Sequence, residues 1–131
     1  MPTSAPLFKT VPDQDFLGLF KGKEPDYTKV VQFAHMKKED VARATGVNVS
    51  SVRYDEKMPL ELQERLWEWA GLFNLVAGHF SGDSQKTYLW FTVPNPLLGE
   101  ISPKDMIRVG RYKKLLSFVM NSLADNQAPG A

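Results

Sequence analysis

The longest hydrophobic pattern in the chain lies between Pro59 and Phe80. Apolar side chains recur there at alternating spacings of four and three residues, the period of an amphipathic α-helix. The residues on this seam are Leu62, Leu66, Trp69, Phe73, Val76 and Phe80. Further apolar residues lie off the seam, namely Leu60, Trp67, Leu72 and Leu75. The pattern predicts a central helix that is apolar around most of its girth, and this excess predicts at least a dimer.

The same helix carries a thin strip of small or polar residues that leaves room for another backbone: Gly71, Asn74 and Gly78. Ahead of it, residues 1–25 are rich in proline and predict an irregular arm. The arm contains one apolar patch, formed by Phe16, Leu17, Leu19 and Phe20. We expect this patch to dock either on the chain's own core or on a second subunit.

The clearest signals for the end of one helix and the start of the next follow residue 93. Pro94 and Pro96 disfavour helical backbone in the residues before them, so any preceding helix should stop there. Ser102, Pro103 and Asp105 then supply a cap residue, a proline at the first helical position and a carboxylate at the third. This combination predicts a helix that begins at about Pro103.

Gly110 interrupts that helix, and a second apolar stripe follows. Its members fall at helical spacings: Tyr112, Leu115, Leu116, Val119 and Leu123. Five cations surround the interruption: Lys104, Arg108, Arg111, Lys113 and Lys114. Because a charge run is usually a solvated face, the simplest interpretation is a capped helix pair that closes a small core.

Three shorter helices are expected before the central one. Asp26 is a suitable N-cap for a helix that ends near His35. In residues 38–57, the small Ala42 lets two helices approach and Gly46 permits a left-handed turn. This pattern, with a core from Val47 and Val52, resembles the helix-turn-helix of the Xre/Cro class.

The resemblance to that class implies a recognition helix over about residues 50–57. Its candidate DNA-binding residues are Ser50, Ser51, Arg53, Tyr54 and Lys57. Asp55 and Glu56 would repel the DNA backbone, so we expect DNA binding to need two copies of this helix. The alternative is a structural helix pair that makes no DNA contact.

Composition narrows the class of protein. A length of 131 residues is enough for one hydrophobic core. The net charge of +1 is only a weak argument for nucleic-acid binding. Without cysteine it has neither a disulfide framework nor a thiolate metal site, and without a long apolar run or signal peptide it is expected in the cytoplasm. His35 and His79 lack catalytic neighbours, and no phosphate loop or hydrolase motif occurs, so we expect neither an enzyme nor a cofactor.

The order of residues from 90 to 119, WFTVPNPLLGEISPKDMIRVGRYKKLLSFV, resembles the toxin-binding domain of the Xre/MbcA/ParS family of bacterial antitoxins. The matching residues are Trp90, Asn95, Pro96, Leu98, Gly99, Ser102, Pro103 and Gly110. The family commonly has a second glycine where this chain has Glu100, and often a glycine after the last helix, where it has Asp125 or Asn126. Residues 84–93 are rich in strand formers, but the resemblance implies a helix there.

The resemblance implies an all-α fold. We expect three parts: an irregular arm over residues 1–25, a helix-turn-helix with the central helix over residues 26–80, and a small helical toxin-binding domain with a short tail over residues 81–131. It also implies that the protein is an antitoxin, which neutralises a RES-domain toxin by occluding the toxin's active site. Such a toxin consumes NAD or transfers ADP-ribose. The antitoxin is also expected to help to repress its own operon. The expected partners are that toxin, operator DNA and further copies in a homodimer or larger complex. The candidate toxin-binding residues are Asn95, Pro96, Leu97, Leu98, Gly99, Arg108, Arg111, Tyr112, Lys114, Asp125 and Asn126. The alternative is a stand-alone transcription regulator whose C-terminal half serves dimerisation.

Overall fold

Six α-helices and one small hairpin form the described part of the chain. The computed structural model describes residues 14–125. Its elements are β1 (Phe20–Lys21), β2 (Glu24–Pro25), α1 (Tyr27–Ala34), α2 (Lys38–Thr45), α3 (Leu60–His79), α4 (Ser84–Thr92), α5 (Pro103–Arg108) and α6 (Tyr112–Ala124). The two strands pair antiparallel. The all-α prediction is confirmed, and none of these helices is long and apolar enough to cross a membrane.

The central helix predicted from the apolar seam is α3. It begins directly after Pro59 and ends at His79, one residue inside the predicted range at each end. Strand β2 and helices α1, α2 and α4 all pack against it. Each large apolar side chain that leaves water there contributes about 1.5–3 kcal/mol to folding. The seam residues buried in this way are Leu62, Leu66, Trp69, Phe73 and Val76.

Two polar side chains fasten the N-terminal arm to α3. Asn74 is only 3% exposed, and its Nδ2 donates to Asp15 Oδ1 at 2.9 Å while its Oδ1 accepts the Leu17 backbone N–H at 3.1 Å. The Asp15 carboxylate also accepts the N–H groups of Leu19 and Phe20, each at 2.9 Å. The described arm therefore docks on the chain's own core, which decides between the two expected docking sites.

The small-residue strip of α3 receives an aromatic side chain of this arm. A β-carbon added to Gly78 or to Gly82 would lie 3.1 Å from the Phe16 ring. On the same side of the fold, Phe20 stands edge-on to Trp67 with ring centroids 5.8 Å apart. Close approach at residue 78 is confirmed, and the group that approaches is a side chain rather than a second backbone.

Coverage by the arm removes the reason for expecting a dimer. Trp67 and Leu72, which lie off the seam, are both buried within one chain. Among the described residues of α3, Leu60 is the large hydrophobic side chain left exposed, at 63%. The apolar girth of α3 is covered by residues 15–25 and by α1, α2 and α4, so it does not require a second copy of the chain, and the homodimer stays a prediction.

An aromatic cluster joins α1, α3 and α4. Phe73 packs against Phe91 with centroids 4.9 Å apart and against Phe33 at 5.0 Å. Tyr88 completes the cluster by an edge-on contact with Phe33 at 6.1 Å. Helix α4 therefore presents Tyr88 and Phe91 to the core from a helical backbone, which confirms the helix implied by the family resemblance.

Asn74→Ala should lower the free energy of unfolding by about 1–3 kcal/mol, since the Leu17 N–H and the Asp15 carboxylate would each lose a partner in a part-buried site. Urea denaturation followed by circular dichroism measures the change. Asn121→Ala, which truncates an exposed asparagine of α6, is the matched control and should change stability by less than about 0.5 kcal/mol. Equal losses in the two variants would show that the Asn74 contacts do not hold the arm.

Candidate functional site

The connection from α4 to α5 is a tight turn built on Asn95. Its N–H donates to the Ile101 carbonyl at 3.1 Å, and its carbonyl accepts the N–H groups of Leu98 at 2.9 Å and Glu100 at 3.0 Å. Its side-chain oxygen accepts the Leu97 N–H at 2.9 Å. Asn95 is buried. It shapes the turn from within, which corrects its assignment as a partner-contacting side chain.

Two consecutive left-handed residues close this turn. Gly99 has φ = 81° and Glu100 has φ = 65°. An L-amino acid in this region costs about 1–2 kcal/mol because its β-carbon crowds the backbone. The chain thus adopts a glycine-like conformation at the position where the resembled family commonly has its second glycine.

The turn and the end of the preceding helix expose three aliphatic side chains. Leu97 is 61% exposed, and Leu89 and Val93 of the preceding segment are 56% and 52% exposed. Leu89 is two residues away from the buried Thr87 and Phe91, so it lies on the outer side of α4. Val93 follows the last residue of the helix and is also exposed. We call Leu89, Val93 and Leu97 the apolar ridge.

The ridge only partly matches the predicted contact residues. Pro96 and Gly99 are exposed beside Leu97, whereas Leu98 is half-buried and packs against the core. The sequence reasoning missed Leu89 and Val93. Their offset by two from Phe91 could have marked them, once residues 84–92 were taken as a helix.

An open groove of about 480 Å³ adjoins the ridge at Leu89. Its floor includes Phe33 and Tyr88, and the His35 ring lies 4.7 Å from the Tyr88 ring. Ser84 and Gln85 line the rest. A partner that covers Leu89 would therefore find a concave, partly aromatic surface directly next to it.

The predicted helix pair after the turn is confirmed. The Ser102 hydroxyl accepts the Asp105 N–H at 3.1 Å, and Pro103 occupies the first turn of α5. Gly110 takes φ = 84° between α5 and α6. Ser102 therefore caps the helix, Pro103 lies in its first turn and Gly110 separates it from α6, as the sequence predicts.

Tyr112 belongs to the core rather than to a contact surface. It is 9% exposed, and its hydroxyl donates to the Glu68 carbonyl oxygen of α3 at 2.8 Å. Burial, with the nearby Glu68 carboxylate, raises the pKa of Tyr112 well above its usual value, so the phenol stays a hydrogen-bond donor. Its assignment as a toxin-binding residue is therefore corrected: Tyr112 ties α6 to α3.

The predicted contact cations have different environments. Arg108 pairs with Asp105 at 2.6 Å on its own helix and with Asp40 of α2 at 3.8 Å. Arg111 and Lys114 are exposed and form no ion pair with residues 14–125. Arg108 therefore helps to hold α5 against α2, while Arg111 and Lys114 can meet a partner.

The predicted contacts at the C-terminus are only partly placed. Asp125 is exposed and caps the end of α6. Asn126 lies outside the described residues. Among residues 14–125, no three His, Cys, Asp or Glu side chains form a group that could hold a metal ion.

The recognition helix predicted over residues 50–57 was wrong. Gly46 ends α2 in a left-handed conformation, as expected, with φ = 78°. After it, a single 3₁₀ turn spans Val49–Ser51, and the chain from Val52 to Pro59 is not helical. The candidate DNA-binding residues Ser50, Ser51, Arg53, Tyr54 and Lys57 therefore do not form one helical face.

Local side-chain bonds explain why no helix forms there. The Asn48 side chain accepts the Ser50 N–H at 3.0 Å, and Asp55 accepts the Lys57 N–H at 3.0 Å, both of which favour turns. Arg53 donates from Nε to Asp55 at 2.7 Å. Arg53 is thus paired within the loop, and the segment supplies no helix for a DNA groove.

Comparison of the chain with protein-family models, curated proteins and solved structures gave no match. Its function must therefore be inferred from its own residues. The rigid turn with its apolar ridge and the cations of α2, α5 and α6 are the features of the described chain that offer an interaction surface.

Glu100→Gly should raise the free energy of unfolding by about 0.5–1 kcal/mol. Relief of the left-handed strain is worth about 1–2 kcal/mol, and the greater freedom of glycine in the unfolded chain offsets part of it. Urea denaturation measures the gain. Glu100→Ala is the control, since alanine keeps the β-carbon and should bring no comparable gain. A gain of equal size in Glu100→Ala would attribute the effect to the lost carboxylate instead.

Proposed function

We propose that this protein is an antitoxin that binds and neutralises a RES-domain toxin, with the turn between α4 and α5 as the main binding element. The observation that carries the proposal is the backbone of that turn. Gly99 and Glu100 both take left-handed conformations, and Ser102 and Pro103 start the next helix immediately afterwards. These conformations are the ones that the motif shared with the antitoxin family requires, which supports the proposal.

The apolar ridge has the properties of a protein-binding anchor. Leu97 projects from a turn that its own hydrogen bonds hold rigid, so little conformational entropy is lost when a partner covers it. Burial of an exposed leucine stabilises a complex by about 1.5–3 kcal/mol. A few anchors of this kind, packed into pockets of the partner, carry most of the affinity in protein complexes.

Occlusion of the toxin's active site is assigned to the C-terminal residues. A pocket that binds the anionic pyrophosphate of NAD should contain cationic or donor groups. Asp125 and the side-chain amide of Asn126 offer acceptors to such groups. The proposal divides the work: the ridge supplies affinity and residues 125–131 supply occlusion.

Repression of the operon remains a hypothesis based on the family resemblance. Residues 50–57 give it no support, since Arg53 is paired with Asp55 and the segment is not a helix. For the same reason the stand-alone transcription regulator is the weaker candidate. The proposed antitoxin acts in the cytoplasm through binding, without a catalytic group or cofactor of its own.

Co-expression with the neighbouring open reading frame tests the proposal. If that gene encodes the toxin, its expression alone should stop growth, and co-expression of this chain should restore growth and give a complex that co-purifies. Growth arrest without rescue, with the chain folded and present, would overturn the antitoxin assignment.

Leu97→Asp should abolish the complex, because it would bury a carboxylate where the partner requires an apolar side chain. Co-purification from cells and growth rescue measure the effect. Leu60→Asp is a closely matched control: Leu60 is 63% exposed and Leu97 61%, but Leu60 lies at the start of α3. An intact complex with Leu97→Asp, or equal losses in the two variants, would show that the ridge is not the anchor.

Deletion of Asp125–Ala131 should leave a complex that co-purifies but in which NAD consumption is partly restored. Affinity should persist because the ridge is unchanged, and activity should return because the proposed occluding groups are gone. An NAD-consumption assay on the purified complex, next to the full-length complex as control, separates the two effects. Complete inhibition after the deletion would place occlusion on the rigid turn instead.

A further inference from the structure

The small net charge of the chain conceals a strongly uneven distribution. Residues 37–43, on α2 and its cap, and residues 104–114, on α5 and the start of α6, contain eight Lys and Arg against three Asp and Glu. The other described residues contain seven Lys and Arg against eleven Asp and Glu. These two segments are therefore distinctly basic, and the other described residues are acidic in sum.

Specific contacts bring the two basic segments together. Lys104 of α5 donates from Nζ to the His35 carbonyl at 3.1 Å, two residues before the cap of α2. Arg108 reaches Asp40 of α2 at 3.8 Å, and the two helices pack against each other. Residues 69 positions apart in the sequence are thus brought together, and we call the surface formed by the two segments the basic face.

The geometry of α2 places further cations beside this seam. Asp40 points towards α5, and Lys37 and Arg43 are three residues before and after it, on the same side of the helix. Both cations are exposed, as is Arg111 at the end of the α5–α6 connection. None of the three forms an ion pair with residues 14–125. They are available to an anionic partner.

We propose that the basic face binds the phosphate backbone of duplex DNA. Lysine is depleted at the cores of protein interfaces, which are built around aromatic or aliphatic anchors. This face instead carries mainly exposed lysine and arginine, and the apolar ridge lies on other residues of α4 and the turn. A duplex presents closely spaced phosphates along a regular rod, which suits point charges on two packed helices.

The proposed contact depends on the charge of the DNA backbone and not on the base sequence. The recognition segment expected over residues 50–57 is not needed for it, since phosphate contacts require only positioned cations. The inference concerns the free protein and does not rest on the antitoxin proposal. Failure of toxin rescue and failure of DNA binding can therefore be told apart.

Fluorescence anisotropy of the full chain with a fluorescein-labelled duplex of about two helical turns tests the inference. At about 50 mM salt the wild type should bind in the micromolar range, and binding should weaken steeply towards about 200 mM. The triple variant Lys37→Gln, Arg43→Gln, Arg111→Gln should lose at least about tenfold in affinity at the lower salt. Its plot of log affinity against log salt should become shallower by about 0.9 for each phosphate contact removed.

The matched control removes the same charge from the acidic remainder: Lys21→Gln, Lys23→Gln, Lys29→Gln, all at exposed positions. It should bind close to the wild type, with equal thermal melting for all three proteins. No binding by the wild type at low salt, or equal losses in the two triple variants, would overturn the proposal. So would unchanged DNA binding by the first variant together with loss of toxin co-purification, which would assign the face to an acidic protein surface.

Discussion

The fold depends on one constraint: α3 is apolar around most of its circumference, so the elements around it must cover it on several sides. Helices α1, α2 and α4 pack against part of its surface, and Tyr112 of α6 donates a hydrogen bond to the Glu68 carbonyl of α3. The remaining side is covered by the arm, which needs the Asp15 and Asn74 hydrogen bonds because an irregular segment has few backbone bonds of its own. A polar pair in an apolar setting thus fixes where the arm lies.

Much of this could be predicted from the sequence because its signals are local. The caps at Asp26 and Ser102, the turn at Gly46 and the end of α4 before Pro94 follow from the chemistry of a few adjacent residues. The coverage of α3 within one chain could not be predicted, for the opposite reason. Coverage of Trp67 by the arm is a contact between residues distant in sequence, which hydrophobic periodicity cannot reveal.

The candidate site was less predictable than the fold. Its location on the turn after α4 was expected, but the division between buried and exposed residues was not. Tyr112 lies on the apolar stripe of α6, and a stripe is more often core than contact surface. The recognition helix failed because Asn48 and Asp55 offer side-chain acceptors to nearby backbone N–H groups, and these turns compete with a helix.

Both proposed surfaces depend on α5. At six residues it is too short to be stable alone, and it is held by the Ser102 cap, by Met106 and Ile107 in the core and by Arg108 on α2. The turn that carries Leu97 leads directly into it, and Lys104 on its first turn joins the basic face. A partner bound at the turn therefore sits next to a partner bound at the basic face. Toxin and DNA binding, if both occur, should influence each other through this helix, either by direct contact between the partners or by a shift of α5.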